Sequence, residues 1–128
     1  MNSYLWSYSG APEYVSIRLK PVYPAIEGGF IVFIRLTDNR TWIYASNDPG
    51  KCVTNWKNIA KNYGLPAAEQ VVVSRPVLLY STVKSKILEK LEPYRIDDTG
   101  GYMADMETIM REAEEVLKMA VSAILHGQ

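Results

Sequence analysis

The residues able to do chemistry in this chain are few, and their types are more informative than their number. There is one cysteine, Cys52, and one histidine, His126, so no Cys/His set exists for a zinc site. A Ser-His-Asp relay would have to run through His126, close to the C-terminal end. Glu69, Asp97 and Asp98 are carboxylates that could hold a divalent ion only if folding gathered them. Cys52 shares a helical face with Trp56, which suits a buried, inert thiol. The helix start just before it is the one feature that would lower its pKa and favour a nucleophile. Arg35, Arg40, Lys51, Lys57 and Lys61 surround Trp42 and Tyr44, a mixture that could hold phosphates and stack bases. In the plainer alternative, Trp42 or Tyr44 covers a sheet and the lysines solvate a helix. GxGxxG, P-loop, HExxH, GxSxG and EF-hand spacings are all absent, and Gly28-Gly29 and Gly100-Gly101 read as turn glycines.

A second group of residues suits contact rather than reaction. Tyr4, Trp6 and Tyr8 open the chain, and Tyr and Trp are favoured as interface anchors, although such a cluster can equally fill the core of a small sheet. At the other end, Val121, Ile124 and Leu125 belong to a stretch that is apolar nearly all round, which implies packing on several sides or docking on another chain.

The elements that must position these groups follow from periodicity. Tyr4 to Tyr8 reads as a short extended segment ending in a turn at Ser9-Gly10-Ala11-Pro12. Tyr14 to Lys20 alternates, with Val15, Ile17 and Leu19 on one face, and predicts a half-buried strand. Phe30–Leu36 and Thr41–Ala45 are β-branched and aromatic, and Thr37 to Arg40 between them supplies hairpin turn residues. Asp48-Pro49 predicts an N-cap with proline at the first helical position, opening a helix that Gly64 and Pro66 stop. Glu69–Arg75 predicts a buried strand closed by Pro76. Val83, Ile87 and Leu91 mark a helix that ends at Pro93, and a long final helix begins beside Asp105.

Composition sets the outer bounds. The chain has 128 residues, 48% hydrophobic and 22% charged, which describes one folded domain with a real core. Its charge is divided: residues 1–95 carry 12 basic and 7 acidic side chains, residues 96–128 carry 2 and 7. The acidic C-terminal part reads as a solvated helix face or an acidic patch. No apolar run approaches the roughly 18 residues of a membrane span, and no signal peptide opens the chain, so a cytoplasmic protein that does not engage the membrane is expected.

The succession of hairpin, helix, strand and helix also carries a text. The run from Phe30 to Pro49, with its Ser46-Asn47-Asp48-Pro49 helix start, resembles the opening of the GIY-YIG nuclease superfamily, in the branch common in phage and mobile-element proteins. The likeness continues through Glu69–Arg75, Lys86–Leu91 and Tyr94–Ile96 to Gly100–Met103, and covers about residues 29 to 118. What that family uses for chemistry is replaced here. Val32 and Thr41 stand where its two tyrosines belong, Tyr44 where its glycine does, Cys52 in place of its arginine and Gly101 in place of its metal-binding glutamate; Lys84 and Leu88 replace an acidic residue and a histidine. Losing the cation and the metal ligand together removes both electrostatic terms that stabilise phosphodiester cleavage.

The expected fold is therefore α+β: a small, mainly antiparallel sheet of three to four strands with helices packed on it, GIY-YIG-like. It forms a single domain in which residues 1–28 extend the core with an added strand and residues 29–128 form the core. The expected function is a non-catalytic interaction protein, phage- or mobile-element-encoded, binding a partner protein or itself as a homodimer, with no enzyme activity, cofactor or metal. The alternative is nucleic-acid binding by the basic face of residues 35–61. A third reading, an active nuclease, needs a relocated metal site from Asp97, Asp98 and Glu69.

Overall fold

The computed structural model describes residues 4–22, 28–96 and 101–125, the last five as backbone only. Strand β2 (Phe30–Leu36) explains the architecture. Phe30, Ile31, Val32, Phe33, Ile34 and Leu36 are all buried, so the strand needs cover on both faces of its sheet. Ile31 and Phe33 point into one core, and Phe30, Val32, Ile34 and Leu36 into the other. Strand β4 (Ala68–Ser74) repeats the pattern, with Val72 on the first side and Val71 and Val73 on the second.

The sheet has five strands in the order β1-β4-β2-β3-β5, every pair antiparallel. This is the expected α+β class with an antiparallel sheet. The strands beyond the expected three or four come from the edges: β1 (Trp6–Gly10) pairs with β4, and the two-residue β5 (Tyr102–Met103) pairs with Arg40 and Thr41 of β3 (Arg40–Ser46). The β2–β3 hairpin turns as expected, with Asn39 at φ 70° and Asp38 accepting from the Arg40 N–H at 3.1 Å.

Helix α1 (Val15–Arg18) and helix α2 (Pro49–Tyr63) cover one face; α3 (Tyr80–Leu91) and α4 (Met106–Leu125) cover the other. The α2 ends form as predicted. Asp48 accepts from the Lys51 N–H at 3.1 Å, and Gly64, at φ 66°, closes the C-terminus. Asp105 likewise caps α4, accepting from the Thr108 N–H at 2.7 Å, and this bond holds its carboxyl below the usual carboxylate range. Among the described residues no helix is long and apolar enough to cross a membrane.

One expected strand does not form. Tyr14 to Lys20 is a 3-10 turn (Pro12–Tyr14) followed by the four-residue α1. Helical spacing buries Val15 and half-buries Leu19, while Ile17 faces solvent at 70% exposure. The added N-terminal strand is instead the aromatic opening stretch: β1 takes the free edge of β4, and Pro12 then starts a helical turn that carries the chain across to α2. There Gly50 meets Ser16 so closely that a Cβ on it would lie 2.7 Å from the serine Cβ.

Candidate functional site

Two places stand out, of which only the first gathers candidate residues singled out above. The first lies between β3 and α2, where the resemblance locates chemistry. Val32 and Tyr44 are direct partners across the hairpin, and both Tyr44 and Cys52 pack against the α2-side core. A cleft of about 310 Å³ runs beside them, lined by Tyr44, Ser46, Asp48, Cys52, Trp56 and Ile59.

Two of its groups, Tyr44 and Cys52, are held neutral. Burial pushes the Tyr44 hydroxyl up to about 12, with the neighbouring Cys52 thiol adding to the rise. Burial likewise pushes the Cys52 thiol up to about 11; Lys84 opposes the shift and Asp48 reinforces it. A raised pKa is the direction expected of an inert thiol, because the thiolate is the nucleophile. At pH 8 the folded protein should react with iodoacetamide about a hundredfold more slowly than its unfolded form, from the roughly two-unit gap in pKa. Because the folded pKa lies above the unfolded one, the protonated thiol favours folding below pH ~8.5, and that contribution is lost as pH rises toward 11. Equal alkylation rates in the two states would contradict the burial.

Trp42 occupies the neighbouring space. Its indole lies against Gly101, where an added Cβ would sit 3.2 Å from Cη2, and the Arg40 guanidinium lies over the ring at 5.1 Å from its centroid. Thr41, beside it in β3, is fully buried, and its Oγ1 has no hydrogen-bond partner among the described residues; the same holds for the Trp56 indole N–H.

The basic residues are dispersed rather than gathered on an aromatic shelf. Trp42 is 9% exposed, so its faces are not offered to a base, and Tyr44 is half-buried. Arg40 pairs with Asp38 at 2.7 Å, while Arg35 donates to Asn39 Oδ1 at 2.7 Å and faces Glu69 at 3.8 Å. Lys51, Lys57 and Lys61 project from α2 into solvent and make no ion pair among the described residues. Among the described residues no group of three or more His, Cys, Asp or Glu side chains is gathered as a metal site. Glu69 faces Arg35, and Asp97, Asp98 and His126 lie outside the described residues.

The second place is an apolar groove of about 690 Å³ between α3 and α4, floored by Val83 and Val116 and lipped by Leu78, Leu79 and Met119. Leu79 caps α3 in the left-handed conformation (φ 54°, ψ 41°) and is 76% exposed; Met119 is 74% exposed. Lys90 of α3 and Glu115 of α4 form an ion pair at the groove, which raises the lysine pKa and lowers that of the glutamate.

No protein family, curated protein or solved structure matches this chain.

The residues expected at an interface divide. Tyr4 is 46% exposed and carries the Arg75 guanidinium over its ring. Tyr8 is half-buried, its hydroxyl donating to the Ala11 carbonyl. Trp6 is core: it is 4% exposed, meets Phe33 edge-on, and donates to Glu114, so it has no face left for a partner. The side chains of Val121, Ile124 and Leu125 lie outside the described residues, although their backbone continues α4. Sequence reasoning missed the Leu78–Leu79 lip. The sequence shows two adjacent leucines after Pro76-Val77, with Leu79 four residues ahead of the Val83, Ile87, Leu91 stripe, so periodicity alone would have placed it on the buried face.

Proposed function

We propose that this chain is a non-catalytic interaction protein on a degenerate GIY-YIG-like scaffold, phage- or mobile-element-encoded, that binds a partner protein through the α3–α4 groove. The observation that carries this reading is Leu79. A left-handed, non-glycine residue costs on the order of 1–3 kcal/mol, and strain of this kind collects at functional sites. Here it holds a leucine out of the core, at the lip of an apolar groove, where a buried leucine would gain about 1.5–3 kcal/mol on docking. Packing in the β3–α2 region supports the absence of catalysis: Trp42 fills the space over Gly101, and Cys52, at the arginine position, is a neutral thiol.

The test incubates the purified chain with duplex DNA, single-stranded DNA and RNA in Mg²⁺ or Mn²⁺. No cleavage is expected; specific, chelator-sensitive cleavage overturns the reading. The exposed lysines of α2 favour a second reading, nucleic-acid binding. It requires a gel shift at low salt that weakens steeply as salt rises.

A further inference from the structure

We draw no further inference here: the strongest candidate, the apolar groove between α3 and α4 with its exposed lip at Leu79 and Met119, carries nothing beyond the reading above, because nothing in the structure shows what covers it.

Discussion

Trp6→Ala lowers stability by about 3–5 kcal/mol, the range for removing a large buried aromatic side chain. The indole is 4% exposed on the outermost strand, and its centroid lies 5.5 Å from that of Phe33 at 71°, an edge-to-face contact. Its N–H donates to Glu114 Oε2 at 2.7 Å, which links β1 to α4 across 108 residues of chain. Alanine therefore removes core volume, the aromatic contact and the donor of a half-buried carboxylate together. Trp6→Phe separates these effects. It keeps most of the volume and should cost about 1–3 kcal/mol, mainly from leaving Glu114 without its donor. Urea unfolding measures both. A loss below 1 kcal/mol for Trp6→Ala would mean that β1 does not dock on the sheet as described.

The second large effect is at Gly101, where the resemblance locates a metal-binding glutamate. Gly101→Glu should destabilise the protein by about 1–3 kcal/mol and create no nuclease. A Cβ there would stand 3.2 Å from Trp42 Cη2 and 3.3 Å from Cζ3, a tight contact that obliges the indole to give by a few tenths of an ångström. The indole has little room to move, being buried itself and covered by Arg40. Cleavage of the kind the resemblance implies would still lack its cation, because Cys52 stands where the resemblance expects an arginine. Trp42→Leu in the same chain should recover part of the loss, since the two positions compete for one space and their effects are not additive. Thermal unfolding of the single and double variants checks this; a Gly101→Glu chain as stable as wild type would show that Trp42 does not fill the site.

Residues near in sequence announced much of this architecture. Asp48-Pro49 and Gly64 bound α2 because caps act within one turn, on orphan backbone groups that any helix end exposes. The β2–β3 hairpin is legible in Thr37 to Arg40 for the same reason, the turn being closed by the side chain of Asp38 and the left-handed Asn39. The side of α2 on which Cys52 lies was legible in its spacing from Trp56, although the cysteine is only partly buried there. Tyr14 to Lys20 shows where local reading stops: alternation at Val15, Ile17 and Leu19 suits a strand, yet only Val15 and Leu19, one helical turn apart, find apolar partners on the α2 side. The destination of Trp6 depends on Phe33 and Glu114, and that of Trp42 on Gly101, none of which lies within a turn of its partner. The exposure of Leu79 likewise depends on how α4 lies against α3. Caps, turns and amphipathic faces are decided by contacts a few residues apart, so the sequence by itself determined them. Which edge β1 joins, which aromatic fills the space over Gly101 and which leucines remain outside are decided by competition among distant segments for a limited core, and only the tertiary structure resolves that competition.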